Sequence, residues 1–522
     1  MAQEIQKNDH VVMVRDQVFI SKAENLLPTL YQNNIYPQKI ITLVRNANAI
    51  DGYSANIISQ AQCYLKQSFQ TGDSFILDFG CHGVGYLSFL CQPVGSPPDA
   101  PAHLKLTFGE TLCEIAEPFS QYQGWLSKSW LQEHDEYIDV LPAQVNLPRR
   151  YCFRYLKIEV VSLSPKYQIL FKNMVFKTVS SAPENGIVYQ PTDTQLAKID
   201  QISVLTLRNC MQEVFEDGPK RDRRLWLGDL RLQALVNNVT FQQHDLVCRC
   251  LYLFAGHRRE DGMVSANVFV KPNVVADDTF LFDYSLFYVD VLYNYFVATN
   301  DSQTVKELWP IALKQIELGL NRCDKHGIVA DSDDWWSFID WHEKLNKQGA
   351  SQGVLIYCLD KALHLAQIFE PNMVPKLQQH LDALKCAANK LWDAKLGFYV
   401  SGAQRQVSYA TQIWMILADV GDLAHQQKLM NNLLSSPPEI GMNTPYMRHH
   451  FIVALFKIGM KNKAIEEIKA YWGKMIEYGA DTFWELFDPQ NPSYSPYGNK
   501  IINSYCHAWS CTPAWFIRHY AL

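Results

Sequence analysis

Residues 180–191 read SSAPENGIVYQP. This stretch is polar, contains two prolines and one glycine, and separates two different hydrophobic patterns. Before it, apolar and polar residues alternate, whereas after it apolar residues recur about every 3.6 positions. The stretch therefore predicts a boundary between a first domain, residues 1–190 with an N-terminal extension and a linker, and a second domain, residues 191–522.

Short alternating runs bounded by Gly, Pro, Asn and Asp fill the first domain. Such runs, at this spacing, are typical of the strands of an antiparallel β-sandwich. The predicted strands are 39–44, 74–80, 84–92, 104–109, 154–161 and 167–178.

The second domain contains about twelve predicted helical segments. They are 197–215, 229–240, 242–256, 281–298, 302–322, 350–371, 373–392, 406–420, 423–434, 445–459, 462–478 and 500–518. Every second connection is only a few residues, and the others are about nine to twenty-seven residues, so antiparallel neighbours would place all long loops at one end. The prediction is a multidomain α and β protein in which a β-sandwich precedes an (α/α)6 barrel, a toroid of six hairpins. An open superhelix of helix pairs is the alternative, and it would be a binding scaffold.

Composition excludes several classes of protein. The 47 Lys and Arg against 53 Asp and Glu give a net charge of −6, so no positive field favours nucleic acid. No run of about 18 apolar residues predicts a membrane span, and the polar N-terminus predicts no signal peptide. The 13 cysteines show no CxxC pair or metal-site spacing, so we expect reduced core thiols, a cytoplasmic protein, and neither a bound metal nor a cofactor.

The first long loop, residues 216–229, reads EDGPKRDRRLWLGD. Its three aspartates, Asp217, Asp222 and Asp229, alternate with four cations and Trp226. One interpretation is a solvated charged turn that ends in a helix N-cap at Asp229. The other is a carboxylate whose protonation is tuned by cations and aromatic surface, as in an active site.

The loop after the fifth helix is the most unusual segment in composition. Residues 331–342 read DSDDWWSFIDWH, which is four acids, three Trp and one His in twelve positions. A buried Trp cluster alone would not carry four carboxylates, because each would need a partner. Calcium binding is an alternative, but the turn Gly and terminal Glu of an EF-hand loop are missing.

Three further segments place acids or a His beside aromatic rings. Asp283 follows Phe282, Glu485 lies between Trp484 and Leu486, and His507 precedes Ala508 and Trp509. Desolvation among rings disfavours the charged form of a carboxylate, which is one way to prepare a general acid or base. The alternatives are a surface Glu485 paired with an Arg and an ordinary core histidine at position 507.

Acids and large rings gathered on one barrel mouth suit a sugar. Aromatic rings cover the apolar faces of a pyranose, and carboxylates accept hydrogen bonds from its hydroxyls. Cleavage of a glycosidic bond needs two carboxyl groups, one to protonate the leaving oxygen and one to act as base or nucleophile. Composition and layout therefore predict a glycoside-active enzyme without naming the sugar.

The loop 217–223, DGPKRDR, together with 226–229, WLGD, resembles the acid-bearing signature of glycoside hydrolase family 78, the α-L-rhamnosidases. Later segments resemble further landmarks of that family in the same order: FDYSLF at 282–287, SYAT at 408–411, TPY at 444–446, TFWE at 482–485 and SYCH at 504–507. In the first domain LDFG at 77–80, VGYL at 84–87 and DAP at 99–101 are similar to its β-sandwich. The resemblance spans roughly residues 75 to 515.

The resemblance implies an (α/α)6 barrel that removes terminal non-reducing α-L-rhamnose with inversion of configuration. Many members carry a Glu, the expected general acid, where this chain has Arg223, and the loop is one residue shorter before Trp226. Asp222 is therefore the expected proton donor, with Asp217 and Asp229 as lesser candidates, and Glu485 the expected general base. Their carboxyl groups should lie about 6.5 to 9.5 Å apart, against about 5 to 5.5 Å for a retaining enzyme.

The flanking cations oppose this role for Asp222, because guanidinium groups stabilise its anion. The role requires that the guanidiniums of Arg221, Arg223 and Arg224 point to other acids while Asp222 faces the cavity. The residues expected to bind the sugar are Asp217, Trp226, Asp229, Asp283, Trp335, Trp336, Asp340, Trp341, Trp484 and His507.

The chain ends soon after the last predicted helix, without the further β-domains common in larger members, so we expect a small intracellular form that acts on short rhamnose-containing glycosides. We also expect that the β-sandwich packs against the barrel and supports a homodimer. Three alternatives stay open at the level of sequence. They are another (α/α)6 glycosidase, such as an unsaturated uronyl hydrolase or a trehalase-like enzyme, a carbohydrate-binding protein made inactive by Arg223, and a helical-repeat scaffold.

Overall fold

The structure is a computed structural model that describes residues 10–183, 186–332 and 335–522. A β-rich part is followed by a helical part, as predicted. In the β-rich part the strands are β1 (Met13–Arg15), β2 (Tyr31–Ile35), β3 (Lys39–Arg45), β4 (Tyr53–Gln60), β5 (Ser74–Gly95), β6 (Ala102–Gly109), β7 (Glu133–Ile138), β8 (Ala143–Asn146), β9 (Tyr151–Ser162) and β10 (Tyr167–Ser180). Three short helices lie among them, α1 (Gln17–Asn25), α2 (Ala61–Tyr64) and α3 (Leu112–Ala116).

The long strand β5 organises the antiparallel sandwich. The strand order is β2-β10-β5-β9-β6-β7, and β5 also pairs with β3 and β8. The pairing of β5 with β9 changes register between Asp78 and Gly83, which allows one strand to contribute to both layers. Phe79, Phe153 and Phe176 pack against one another in the buried core between the layers.

Twelve α-helices follow the linker within the described residues. They are α4 (Thr194–Cys210), α5 (Leu227–Val239), α6 (His244–Gly256), α7 (Phe282–Thr299), α8 (Ser302–Asn321), α9 (Gln348–Phe369), α10 (Val374–Asn389), α11 (Tyr409–Leu417), α12 (Leu423–Ser435), α13 (Pro445–Lys457), α14 (Lys461–Glu477) and α15 (Pro513–His519). None of the helices in the described part of the chain has the length and apolar content that crossing a bilayer would require.

The inner helices close into a ring, which confirms the predicted (α/α)6 barrel. Helix α5 packs on α7, α7 on α9, α9 on α11, and α11 on α13. His449 of α13 stacks on Phe516 of α15 at 5.2 Å between ring centroids, and α15 packs back on α5. The inner helix α7 is buried without interruption from Phe282 to Leu292, because it faces neighbours on all sides.

The prediction for the last helix, 500–518, is wrong about where the helix begins. Helix α15 begins at Pro513, a residue that favours the first turn of a helix because it has no N–H to satisfy. The preceding residues form two 3₁₀ turns, Lys500–Ile502 and Ala508–Ser510, within the loop that starts after α14. His507 therefore lies on a long loop rather than on a helix.

The six long connections leave the barrel at one end, as predicted. Three of their short strands form a small sheet, β11 (Leu225–Trp226), β13 (Asn267–Phe269) and β14 (Val275–Ala276). The others are β12 (His257–Arg259), β15 (Trp392–Asp393) and β16 (Phe398–Tyr399). This end of the barrel carries the acidic and aromatic segments singled out from the sequence.

The N-terminal segment packs on the barrel. Strand β1 pairs in antiparallel register with β12, and α1 lies against α6 with Ile20 and Ala23 buried. From its position in the sequence, this segment was predicted to belong to the first domain, residues 1–190. In the structure, β1 and α1 contact the second domain.

Candidate active site

Glu485 lies in the long loop that follows α14, at the mouth of the barrel. Its N–H donates to Ser504 O at 3.0 Å, and the N–H of His507 donates to Phe483 O at 2.9 Å. These two hydrogen bonds hold the backbone of residues 483–485 beside that of residues 504–507.

Two donors hold the carboxylate of Glu485, which is 3% exposed. Arg221 donates to Oε2, and the hydroxyl of Tyr497 donates to Oε1 at 2.5 Å. Burial alone would raise the pKa of Glu485, but the Arg221 guanidinium and the Tyr497 hydroxyl lower that pKa below its usual value. The site therefore keeps Glu485 ionised, which is the state a general base requires.

The acid-bearing loop turns sharply at Asp222 and Arg223. Both residues have left-handed backbone angles, with φ of 60° and 54°. Arg223 donates to Lys220 O at 3.3 Å and to Arg150 O at 3.0 Å, which directs its guanidinium toward the sandwich domain. Burial and the neighbouring Arg150 lower the pKa of Arg223 to about 10.

The three arginines of this loop have different partners. Arg224 lies 3.6 Å from Asp277 and over the ring of Phe269, away from Asp222. Arg221 instead lies 3.9 Å from Asp222 Oδ1 while it also holds Glu485. The expected partners of these guanidiniums, Asp217, Asp229 and Glu216, are therefore not the ones observed: Arg223 contacts backbone carbonyls, Arg224 faces Asp277, and Arg221 lies between Asp222 and Glu485.

One guanidinium joins the two predicted catalytic carboxylates. Its Nη1 atom faces Asp222 and its Nη2 atom contacts Glu485. The negative charges of Asp222 and Glu485 both raise the pKa of Asp229, so the three acids share one site. Asp222 is the more accessible catalytic candidate, because its side chain is 23% exposed against 4% for that of Glu485.

His507 lies at the centre of the acids. Its Nδ1 atom is 3.5 Å from Asp229 Oδ1, and its Nε2 atom is 3.9 Å from Asp217 Oδ2 and 4.0 Å from Glu485 Oε1. Burial lowers the pKa of His507 to about 4, so the ring is neutral at pH 7. Among the described residues, neither Asp229 Oδ1 nor His507 Nδ1 has a hydrogen-bond partner.

Burial also acts on Asp217 and Asp229. It raises the pKa of Asp217, with further contributions from Asp222 and Asp229, and it raises the pKa of Asp229 together with Glu485 and Asp222. Asp217 Oδ1 accepts from the N–H of Arg224 at 3.0 Å. The site thus contains carboxyl groups whose protonated form is favoured beside one, Glu485, whose ionised form is favoured, which is the division of roles that acid–base catalysis uses.

Aromatic side chains line the same region. Trp509 donates its indole N–H to Glu485 O at 2.8 Å and stacks on Phe338 at 5.5 Å between centroids. Trp341 meets Phe338 edge-on at 5.3 Å and Tyr497 edge-on at 6.2 Å. Trp341 therefore packs beside Tyr497, which holds Glu485, and its contact with a sugar stays a prediction; Tyr497, Phe338 and Trp509 were not among the residues expected from the sequence.

Three other predicted tryptophans are half-buried around the mouth. Trp226 packs edge-on against Tyr284, and Trp335 packs edge-on against Phe282. The ammonium of Lys347 lies 4.9 Å above the ring of Trp336. The indole N–H groups of Trp226, Trp335 and Trp341 have no partner within the described residues.

Asp283 and Asp340 contact the protein itself. Asp283 accepts from the N–H groups of Phe338 and Ile339, both at 2.9 Å. Asp340 accepts from the N–H of Asn443 at 2.8 Å and from the hydroxyl of Thr444 at 2.6 Å. These bonds fix the tryptophan-rich loop, and a contact of either carboxylate with sugar hydroxyls stays a prediction.

Trp484 lies at the interface of the two domains. It is 3% exposed, packs edge-on against Tyr505, and lines a cavity of about 390 Å³ between the two domains together with Tyr53 and Asp51. A contact of Trp484 with the sugar stays a prediction.

Within the described residues, one group has the composition and spacing of a metal site. It consists of buried His82, Glu110 and Cys152, at the domain interface. Their atoms hydrogen-bond one another at 3.0 to 3.1 Å, and the ammonium of Lys220 lies 3.1 Å from Glu110. A cation already neutralises Glu110, which does not favour a metal ion. The predicted calcium alternative depends on Asp333 and Asp334, which lie outside the described residues.

Comparison with protein families gave two adjoining matches. Residues 37–178 match the glycosyl hydrolase family 78 alpha-rhamnosidase N-terminal domain. Residues 188–520 match the bacterial alpha-L-rhamnosidase 6 hairpin glycosidase domain. A comparison with curated proteins gave no significant match.

Solved structures agree with these matches. A rhamnosidase from Klebsiella oxytoca with rhamnose bound is 60% identical, with a TM-score of 0.97 over 98% of this chain and 100% of that chain. A family 78 rhamnosidase of Bacillus sp. GL1 is 22% identical, with a TM-score of 0.73 over 85% of this chain and 46% of that chain. The Streptomyces avermitilis α-L-rhamnosidase complexed with L-rhamnose is 15% identical, with a TM-score of 0.64 over 94% of this chain and 44% of that chain, and these two show the fold alone. The chain therefore belongs to glycoside hydrolase family 78, the family of the bacterial α-L-rhamnosidases, and is a glycosidase.

Proposed function

We propose that this glycosidase removes terminal non-reducing α-L-rhamnose from small glycosides with inversion of configuration. The observation that carries the proposal is the placement of Asp222 and Glu485 at the two ends of the Arg221 guanidinium, in one cluster of acids. Inverting enzymes hold their two carboxyl groups about 6.5 to 9.5 Å apart to leave room for the attacking water, and the proposal assigns this separation to Asp222 and Glu485. The 60% identical relative with rhamnose bound supports the choice of sugar.

Glu485 acts as the general base. It takes a proton from a water molecule, whose oxygen attacks the anomeric carbon of the rhamnosyl group. Arg221 and Tyr497 each occupy one oxygen of the carboxylate from one direction, and a carboxylate has about four acceptor positions, so a water can still be bound. The lowered pKa of Glu485 keeps this base ionised at neutral pH.

Asp222 acts as the general acid. It gives its proton to the glycosidic oxygen as the bond from that oxygen to the anomeric carbon breaks, so the aglycone leaves as a neutral alcohol. The Arg223 guanidinium points outward to Arg150 O, and the acids Asp217 and Asp229 lie close to Asp222. The partial exposure of Asp222 suits a group that must reach the leaving oxygen.

The same site suits a neutral 6-deoxy sugar. Phe338, Trp341 and Trp509 present apolar surface for the ring and methyl group, and burial keeps His507 uncharged. Asp229 Oδ1 and His507 Nδ1 lack partners among the described residues and are placed to bind hydroxyls. These buried atoms favour a ligand that brings its own donors and acceptors.

Hydrolysis of 4-nitrophenyl α-L-rhamnoside, compared with a panel of other aryl glycosides, tests the sugar. Proton NMR of the first-formed anomer tests the stereochemistry. Release of β-L-rhamnose before mutarotation is the expected result. Release of the α-anomer would overturn inversion, and sugar binding without turnover of any glycoside would favour an inactive carbohydrate-binding protein.

We also propose a cytoplasmic location and a preference for short substrates. The described cysteines are free, including buried Cys210 and Cys506, as expected of a reducing compartment. Cell fractionation tests the location, and activity on rhamnosyl disaccharides against rhamnose-containing polymers tests the substrate size. The predicted homodimer is tested by sedimentation of the purified protein.

A further inference from the structure

Lys220 is a fully buried cation beside the catalytic residues. It directly precedes Arg221 and Asp222, and its side chain has no exposed surface. Its ammonium lies 2.8 Å from Glu114 Oε1 and 3.1 Å from Glu110 Oε2, and it also donates to Asn503 O. A buried lysine stays charged only when such partners compensate the loss of water, and here the two carboxylates raise its pKa.

Both carboxylates belong to the sandwich domain. Glu110 follows β6, and Glu114 lies in α3, where Thr111 and Glu114 form a reciprocal capping box. Glu114 Oε2 accepts from the N–H of Thr111 at 2.9 Å, so its other oxygen is fixed in the direction of Lys220. The capping box therefore gives Lys220 a rigid partner.

Glu110 makes a second connection to the barrel. Its Oε1 atom contacts His82 Nε2, in β5 of the sandwich itself, at 3.0 Å. Its Oε2 atom accepts from the N–H of Tyr505, in the barrel domain, at 2.8 Å. Tyr505 lies between Ser504 and His507, whose backbones bond to those of Glu485 and Phe483. One short segment of the sandwich thus contacts both barrel loops that form the active site.

We propose that Lys220 and Glu114 are positioning residues, through which the sandwich domain holds the acid loop in its catalytic geometry. The inference rests on the proposed function, in which Asp222 is the general acid. Lys220 also accepts a hydrogen bond at its carbonyl from Arg223, so its position fixes the turn that directs Arg223 outward and Asp222 toward the site. A loosened Lys220 would displace the Arg221 guanidinium that contacts both Asp222 and Glu485.

Glu114→Gln tests this role without removing a buried side chain. In glutamine an NH2 group replaces one carboxylate oxygen. Only one of the two partners, the Thr111 N–H or the Lys220 ammonium, then still faces an acceptor oxygen. Because proton donation matters most for poor leaving groups, we expect kcat/KM for a rhamnosyl disaccharide to fall on the order of tenfold. Hydrolysis of 4-nitrophenyl α-L-rhamnoside, which needs less protonation, should change by less than about twofold.

Glu117→Gln is the matched control. Glu117 lies close to Glu114 in the chain and forms a 3.1 Å ion pair across the same interface, but with Lys500 and not with the acid loop. We expect both substrates to be hydrolysed normally by this variant. If Glu114→Gln does not fold, Glu114→Asp keeps the charge, shortens the side chain and should show the same selective loss.

Equal slowing of both substrates by a folded Glu114 variant, or no change in either, would overturn the positioning role, because a merely structural contact lowers only the amount of active enzyme. Asp222→Asn in the same assay separates this from the proposed function. If Asp222→Asn slows hydrolysis of the disaccharide and of the aryl glycoside equally, Asp222 is not the general acid, and the inference about Lys220 and Glu114 is wrong as well. If Asp222→Asn slows the disaccharide selectively and the folded Glu114 variant does not, only the inference about Lys220 and Glu114 is wrong.

Discussion

Tyr497 donates a 2.5 Å hydrogen bond to Oε1 of Glu485, while Arg221 donates to the other oxygen of the same carboxylate. Both donors stabilise the ionised form, and the resulting pKa of Glu485 is below its usual value despite complete burial of the carboxylate. Glu485 is therefore ionised at neutral pH, as a general base must be.

Tyr497→Phe should move the acid limb of the kcat/KM profile to higher pH. Removal of the hydroxyl takes away one donor to the anion, so the pKa of Glu485 rises and the base becomes protonated at a higher pH than in the parent enzyme. The measurement is kcat/KM for 4-nitrophenyl α-L-rhamnoside from pH 3 to pH 8. Tyr478→Phe, at a half-buried tyrosine that follows the last residue of α14, is the control, and an unshifted limb in Tyr497→Phe would contradict the role of the hydroxyl.

Glu485→Gln should lower turnover on the order of a hundredfold or more, because amide nitrogen and oxygen cannot accept the proton of the attacking water. The variant keeps the size of the side chain, so rhamnose binding measured by calorimetry should persist. Near-normal turnover would exclude Glu485 as the base. Loss of both binding and folding would be seen by circular dichroism and would call for Glu485→Asp, which retains a carboxylate and should retain measurable activity.

Arg223→Glu should fail to rescue Asp222→Asn. The resemblance to family 78 places a glutamate at position 223, but the observed backbone directs this side chain toward Arg150 and the sandwich domain. A new carboxylate there would meet a cation outside the site and could not reach the leaving oxygen. Recovery of disaccharide hydrolysis in the double variant, relative to Asp222→Asn, would show that the turn can supply its acid from either position.

Asp290→Ala should destabilise the barrel without a specific effect on catalysis. Asp290 Oδ2 accepts from Arg231 at 2.5 Å in the core, and removal of one partner of a buried pair costs about 3–5 kcal/mol. The free energy of unfolding in urea is the measurement, and activity per folded molecule should be retained at low temperature. Glu477→Ala, which removes the exposed partner of Lys474, should leave the unfolding midpoint unchanged.

Periodicity and loop length were sufficient to predict the barrel. The inner and outer helices differ in burial but share the 3.6-residue pattern, and alternate loop lengths placed the long connections at one end. The start of the last helix could not be predicted, because the residues before Pro513 alternate local turns with long-range backbone bonds such as His507 N–H to Phe483 O. Those bonds depend on a segment some distance away in the chain.

The sequence predicted the site residues where an acid and an aromatic residue are neighbours in the chain. It did not predict contacts between residues that lie far apart in the chain. Glu485, Asp222 and His507 are together as expected. Tyr497 was missed because nothing in its local sequence indicates a contact with Glu485. The contacts of Trp484 with Tyr505 and with the cavity between the domains were not predicted either, because they depend on residues far away in the chain.

The antiparallel pairing of Met13–Arg15 with His257–Arg259 makes the catalytic unit discontinuous in the chain. A truncation at the interdomain linker would delete a strand partner of the barrel and uncover the surface of His244–Gly256 on which Ile20 and Ala23 rest. Such a fragment would expose an open strand edge beside an apolar patch, a combination that promotes aggregation. Fusions or domain exchanges of this enzyme should therefore keep the N-terminal segment, residues 13–25, together with the barrel.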